Sequence, residues 1–313
     1  MTKSTKIILI TAGVLVGLGM IIAGVALGIN KIRNNVFGFS DTASATYEDK
    51  SMEIKDDFED IEIVQVSSDV NVVSTSKSTA YIEYTDSNRY HNEITVKGDT
   101  LRIEFKDDSA SYIHIVFDIP FLGLDRSCET FPVTLYLPEK DYGDLNIAIV
   151  SGETSIDPMS FENIEIDGVS GEIKVRGCDL DDNFKANTVS GSVNCEGINA
   201  GDVSVNTTSG EVSLTKTNAE DVDIDCISGS VSLNSLSASS VDIQTTSGEV
   251  TLDDYQSKST EITTVSGDVS GTLIGDYNIS YDTVSGDSNI SISSIAGGNR
   301  FDVETTSGDL TLK

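Results

Sequence analysis

Seven carboxylates recur at one position of this sequence. Glu153, Glu172, Glu211, Glu249, Asp268, Asp287 and Asp309 each stand two residues after a serine, and only Ser192 and Ser230 interrupt the series. The serines are Ser151, Ser170, Ser190, Ser209, Ser228, Ser247, Ser266, Ser285 and Ser307, at steps of 19, 20, 19, 19, 19, 19, 19 and 22 residues. If the repeats stack as strands, the carboxylates lie ~5 Å apart along one edge. Like charges at that spacing repel, and a hard oxygen-binding cation such as Ca²⁺ would relieve them. The plainer chemistry of the pattern is a solvated turn edge in which each carboxylate accepts a local amide. The glycine-rich nonapeptide of calcium repeat proteins is absent. No cofactor is expected, and Ca²⁺ is the ion this edge would recruit.

Other chemistry has less to stand on. Thr188, Thr207, Thr245, Thr264, Thr283 and Thr305 form a second series, in phase with apolar residues. Packing with internal hydrogen bonds is expected there rather than binding of ordered water. The two histidines, His91 and His114, lie outside the repeats, and no P-loop, nucleophile elbow or zinc-ligand spacing occurs. Of the basic residues of the repeats, Lys174, Arg176, Lys185, Lys216, Lys258, Arg300 and Lys313, only Arg176 and Lys313 share an offset, six after a serine, and they stand seven repeats apart, so stacking builds no basic centre. No catalytic residue is expected, and a carbohydrate-active solenoid enzyme ranks behind non-enzymatic readings.

The elements that carry these positions follow from the same period. Around Ser228, Val222, Ile224 and Cys226 precede at alternate positions, and Val231 and Leu233 follow. Alternation with period two is a half-buried strand. Each repeat therefore reads as strand, tight Ser-Gly turn, strand and return loop. The turn glycines are Gly152, Gly171, Gly191, Gly210, Gly229, Gly248, Gly267, Gly286 and Gly308. Glycine suits a turn that needs positive φ or a close neighbouring backbone. Three residues after the serine come Ile173, Val193, Val212, Val231, Val250, Val269 and Leu310, and four before it Ile166, Val205, Ile224, Ile243, Ile262 and Val303. Like residues at like offsets become ladders when coils stack. The expected fold is all-β, a parallel β-solenoid (β-helix) of about 19-residue coils. Nine coils make a rod of roughly 40 Å, and the crossover rule favours a right-handed coil. Proline is absent after Pro158, as strands that pair on both sides require.

The chain of 313 residues carries a formal net charge of −31. So acidic a surface repels nucleic acid and anionic lipid headgroups, and serves solubility if nothing else. The first 34 residues break the pattern: they hold Lys3, Lys6, Lys31 and Arg33 and no acid. Ile7 to Ile29 is 23 uncharged residues with Thr11 the only polar one, ~34 Å of helix and enough to cross a bilayer. This run predicts one N-terminal transmembrane helix. A cleaved signal peptide competes, but its apolar core is usually shorter. The short basic tail before the run favours the N-terminus inside and the large C-terminal module outside, a single-pass protein of the cell membrane.

The expected organisation is an anchor at 1–34, a linker at 35–57, a β-rich N-terminal cap with degenerate first coils at 58–150, and regular Ser-Gly coils at 151–313. Fourteen of the twenty Phe and Tyr residues precede residue 151, as a segment closing a solenoid end should show. Strands are expected around Ile61 and Ile63, at Asp69-Val70-Asn71-Val72, on both sides of a turn at Lys97-Gly98-Asp99, at Ile113, Ile115 and Phe117, and at Val133, Leu135 and Leu137. The last repeat, at Ser307, predicts an open edge that is guarded by the charges of Asp309 and Lys313 or covered by a second copy.

Of the four cysteines, Cys128, Cys178, Cys195 and Cys226, three fall in the coils. Cys195 shares an offset with Leu214 and Leu233, Cys226 with Thr207 and Thr245, and Cys178 with Ile198, Leu236 and Tyr255. They read as small core fillers rather than a disulfide framework, although Cys178 and Cys195 lie on adjacent coils.

The opening FEDIEIVQVSSDVNVV (Phe58 to Val73), the element VTLYLP (Val133 to Pro138) and the recurring T-x-S-G-[ED]-[VL] complete a pattern. Thr207-Thr208-Ser209-Gly210-Glu211-Val212 and Thr305-Thr306-Ser307-Gly308-Asp309-Leu310 are examples. With the N-terminal anchor, it resembles the bacterial putative-adhesin β-strand-repeat family over roughly residues 50 to 313. The resemblance implies a solenoid facing the cell exterior with an adhesive or envelope-associated role, and brings no catalytic residues. Some members of that family look like accessory parts of cell-envelope stress systems, which makes an accessory or sensor role the alternative. The expected partners are the membrane, through Ile7 to Ile29, an envelope protein or polymer, and a second copy at the C-terminal edge. No sortase-type LPxTG signal is present.

Overall fold

The structure, a computed structural model, describes residues 46–88, 90–107 and 131–313. The expected anchor at Ile7 to Ile29, the strand expected at Ile113 to Phe117, and Cys128 lie outside the described residues. Among the described residues, no helix is long and apolar enough to cross a membrane.

Alternation of apolar and polar residues yields strands throughout. In chain order they are β1 (Tyr47–Glu53), β2 (Asp60–Ser67), β3 (Val70–Thr75), β4 (Tyr81–Ser87), β5 (Tyr90–Lys97), β6 (Thr100–Asp107), β7 (Val133–Pro138), β8 (Asp141–Ser151) and β9 (Thr154–Ile156). There follow β10 (Ser160–Ser170), β11 (Ile173–Arg176), β12 (Asp179–Leu180), β13 (Asn183–Thr188), β14 (Val193–Glu196), β15 (Asp202–Thr207), β16 (Val212–Thr215), β17 (Asp221–Cys226) and β18 (Val231–Asn234). The last are β19 (Ser237–Thr245), β20 (Val250–Thr263), β21 (Val269–Leu273), β22 (Tyr277–Thr283), β23 (Ser288–Ile290), β24 (Asn299–Thr305) and β25 (Leu310–Leu312).

Each layer enters along one sheet, turns at the serine and leaves along a second sheet. Neighbouring layers pair in parallel, and the register follows the repeat: Val205 lies beside Ile224 and Ile224 beside Ile243, as Val212 lies beside Val231 and Val231 beside Val250. Both sheets turn their apolar side chains inward, so Ile166, Val205, Ile224, Leu214, Leu233 and Leu252 are fully buried. The return loops add a short polar ladder. Asn199 donates to Asp179 at 2.6 Å, and Asn218 donates to Asn199 at 2.8 Å. Seven residues after the serine the loop takes positive φ, at Gly177, Gly197, Lys216, Ser235 and Asp254. That position had no signal in the sequence, because only two of the five are glycine.

The order of layers departs from the order of the chain at both ends. At the start, β2 pairs with both β6 and β8, and β3 with both β7 and β9. The Phe58-to-Val73 stretch is thus an inner layer, with Ser67-Ser68-Asp69 in place of Ser-Gly-Glu and Ser67 beside Ser151. Antiparallel β5 closes the entry sheet on β6, and antiparallel β4, then β1, closes the exit sheet on β7. Residues 47–53, inside the stretch expected to be a linker, are therefore strand β1. Its side chains are mostly exposed, so backbone pairing to β4 holds it and no apolar alternation announces it.

At the other end, β24 pairs with β20 and β22, and β25 with β21 and β23. The Ser307 layer is inserted between the Ser266 and Ser285 layers. This corrects the expectation of an open edge at Ser307, Asp309 and Lys313: the outermost layer is that of Ser285. The reason is burial. Phe301, Val303, Leu310 and Leu312 are all within 1% of full burial and need cover on both sides, whereas the Ser285 layer has exposed, polar Ser288 where the other layers have valine, isoleucine or leucine, or in one case the fully buried Thr154. The longer step of 22 residues carries the chain back over that outer layer. Eleven layers are stacked among the described residues, a rod of roughly 48 Å.

Candidate functional site

The turns form one ridge along the rod, and the acidic positions fall on it together. In spatial order they run Asp69, Glu153, Glu172, Ser192, Glu211, Ser230, Glu249, Asp268, Asp309 and Asp287. Asp69 is a member that the Ser-Gly signature misses, because its turn is Ser67-Ser68. The aspartates work as amide acceptors from layer to layer. Asp69 accepts the Glu153 amide, Asp268 the Asp309 amide and Asp309 the Asp287 amide, each at 2.8 Å. Lys174 reaches Glu153 at 3.0 Å and Glu172 at 2.7 Å, and Glu172 also accepts from Asn194 at 2.6 Å. The Lys174 hydrogen bond holds the Glu172 carboxyl below its ordinary value. Among the described residues, no three His, Cys, Asp or Glu side chains converge as a metal site would need. Asp69, Asp268 and Asp309 thus act as turn residues, each accepting an amide of the neighbouring layer.

Close approach explains the turn glycines. A Cβ on Gly210 would overlap the Gly191 carbonyl, one on Gly229 the Gly210 carbonyl, and one on Gly248 the Gly229 carbonyl. Positive φ applies among the turn glycines only at Gly152 and Gly171. The glycines at 191, 210, 229, 248, 267, 286 and 308 are there because the neighbouring layer occupies the side-chain position.

Behind the turn, Thr188, Thr207, Thr245, Thr264 and Thr305 are buried and Thr283 is half-buried. Thr188 accepts the Gly191 amide at 3.0 Å, and Thr264 accepts the Gly267 amide at 2.9 Å. The hydroxyls of Thr207, Thr245 and Thr305 are buried without a partner, so the expected internal hydrogen bonding holds for only part of the ladder. Cys178, Cys195 and Cys226 are free and buried, and burial raises each thiol, Cys178 and Cys226 to about 11.

Two further polar surfaces lie on the outer face of the entry sheet. Asp223, Asp242, Glu261 and Asp302 stand side by side in successive layers. Arg300 reaches Asp302 at 2.6 Å and Glu261 at 3.5 Å. Asp225, beside Asn206 and Gln244, has one carboxylate oxygen buried without a partner. Burial, then Asp223 and Asp242, pushes its carboxyl up to about 6. Alignment five residues before each serine would have exposed this acidic ladder, since Glu165, Asp223, Asp242, Glu261 and Asp302 share that offset. Near the closed end, Glu62, Glu93, Arg102, Glu104 and Lys106 line a depression of about 490 Å³. Arg102 bridges Glu62 and Glu104, both at 3.1 Å, and Lys106 reaches Glu104 at 2.6 Å. Burial alone would raise Glu104, but Lys106 and Arg102 hold it below the ordinary carboxylate value. No repeat offset relates these residues, so periodicity could not find them.

Comparison with known proteins agrees with this architecture. The family model described as Toastrack DUF4097 matches residues 58–200 and 179–313. The solved structure of a "putative adhesin" from Parabacteroides merdae shares the fold at 15% identity and a TM-score of 0.50, covering 85% of this chain and 96% of that one. A "putative adhesin" of Bacteroides fragilis is 13% identical with a TM-score of 0.48, covering 86% and 97% of the two chains. A "putative lipid binding protein" of Parabacteroides distasonis is 17% identical with a TM-score of 0.48, covering 85% and 96%. No curated protein matches this chain.

Proposed function

The chain belongs to the Toastrack DUF4097 family, and on that premise we propose a non-enzymatic contact protein: an adhesin or interaction scaffold of the cell envelope, anchored through Ile7 to Ile29 with its solenoid outside. The observation that carries this reading is the uninterrupted stack of layers, whose outer faces present repeated carboxylates and amides in fixed register. A rigid, regular surface suits multipoint contact with a polymer or protein partner. Its charge selects partners that are cationic or rich in hydrogen-bond donors.

The test uses full-length protein in cells. Protease added outside should digest the C-terminal module, and cells displaying the chain should retain more isolated envelope material than cells without it. Neutralising the acidic face with Asp223→Asn, Asp242→Asn and Glu261→Gln should lower that retention while the melting temperature holds or rises. A module protected from external protease would refute the placement, and retention equal to that of cells lacking the chain would refute the contact role.

A further inference from the structure

The strand that follows the apolar run of residues 7–29 is held lightly. β1 comes 17 residues after that run, beyond residues 30–46, and is the outermost strand described in the exit sheet, in the order β1, β4, β7, β3. Six of its seven residues are exposed, so burial of apolar surface contributes little to keeping it in place. Backbone pairing to β4 and a short set of side-chain contacts hold it. Lys50 reaches the buried Asp86 at 3.1 Å, Thr85 donates to Asp49 at 2.8 Å, and the Tyr47 ring lies 4.4 Å from that of Phe131. Just ahead of the strand, the Thr46 amide donates to the Asn88 side chain and the Asn88 amide to the Thr46 carbonyl.

The far end of β1 is fixed. Ile54 and Phe58 are buried, and the Ile54 amide donates to the Ala80 carbonyl at 2.8 Å. Phe58 stacks on Tyr142 with ring centroids 6.1 Å apart, and its carbonyl accepts from Lys140 at 2.6 Å. The layer beneath has its own bonds. β4 pairs with β7, Ile82 and Leu135 are fully buried, and Asp86 also accepts the Asn92 backbone amide at 2.8 Å and its Nδ2 at 3.2 Å. A strand lightly held at its first residue and fixed after its last can leave without taking those layers with it.

The direction of load decides how it leaves. In a stack of layers the strands run across the rod and their hydrogen bonds run along it. A pull on Tyr47 along the rod acts parallel to the β1–β4 bonds and opens them one pair at a time, from Tyr47 towards Glu53. The inner layers feel that pull only through Ile54 and the core around it.

We propose that β1 is a load-released latch: tension between the membrane and the rod peels it from β4 as far as Ile54, lengthening the tether by roughly 24 Å before the core bears load. This deepens the reading above and rests on it, since the load comes from an anchor on one side and an envelope contact on the other. The seat keeps its partner charge in Asp86 and its register in β4, so the strand returns to the same place when the load falls.

Hydrogen exchange of the full chain in detergent reads the latch without load. The β1 amides should exchange about a hundredfold faster than those of β8 and β10. Lys50→Ala should speed β1 further, by about three- to fivefold, and leave β8 and β10 unchanged. Optical tweezers on the full chain, tagged at both ends, read it under load: a first step of roughly 24 Å should precede opening of the layers. Asp49→Cys with Thr85→Cys, directly paired on the two strands, should abolish that step when oxidised and restore it when reduced. Exchange of β1 as slow as that of β8 overturns the latch. A first step that is absent, or that survives the oxidised staple, overturns release under load. A latch that yields in the tweezers, in a chain whose solenoid external protease cannot reach in cells, overturns the load-bearing role and leaves the displaceable strand standing.

Discussion

Asp225 is the residue whose chemistry the fold alters most legibly. Its half-buried carboxyl has the exposed Asp223 on its own strand, Asp242 on the next, and Asn206 and Gln244 beside it. Its ordinary value of 3.8 rises to about 6. The folded state therefore holds the proton more tightly than the unfolded state, so this residue's contribution is most favourable below pH ~4 and is lost as pH rises through ~6. Asp225→Asn should raise the melting temperature at pH 7.5, by at most about 2–3 kcal/mol of stability, and flatten the decline between pH 4 and 6. Thermal melts of both proteins across that range decide it; equal slopes would mean that the charge is solvated. The raised value was hidden in the sequence, because an outward aspartate at a strand position looks solvated until its neighbours are known.

At the scale of elements, the Ser-Gly turn and the layer order make separate predictions. Gly229→Ala drives a methyl into the Gly210 carbonyl and towards the Cys226 sulfur. It should cost about 1–3 kcal/mol, while Ser230→Ala, one residue on and exposed, should stay within about 0.5 kcal/mol. Chemical denaturation of the two variants makes the comparison, and equal midpoints would remove close approach as the reason for glycine. Leu312 and Ile290 occupy the same offset and lie side by side in adjacent layers. Leu312 is fully buried and Ile290 is 36% exposed. Leu312→Ala should therefore cost about 2–5 kcal/mol and Ile290→Ala clearly less. Layers stacked in chain order would reverse that ranking. The turn, the strands and the glycine ladder were legible from offsets. The ranking of these two residues was not, because each is an apolar residue five positions after a serine.

At the scale of the whole molecule, the ridge of carboxylates meets a plain test. Calorimetric titration of Ca²⁺ into the full chain in detergent at physiological salt should show no saturable binding, and melting should not rise with Ca²⁺. The ridge aspartates at 69, 268 and 309 already accept amides, and Lys174 engages the glutamates at 153 and 172. Saturable binding with a rise in melting temperature would instead make the ridge a metal-ordered surface.

The sequence by itself determined the repeat unit, the parallel register, the inward residues and the row of turn carboxylates. Those features depend on neighbours at a constant separation along the chain, so periodicity records them directly. Only the tertiary structure decided which layer lies outermost, which strands close the other end, and which polar groups meet across layers. All coils share one register and can stack on one another, so the period leaves their order degenerate. Burial breaks the degeneracy: the more apolar coil, with Phe301, Val303, Leu310 and Leu312, takes an inner place, and the coil with Ser288 is left at the tip.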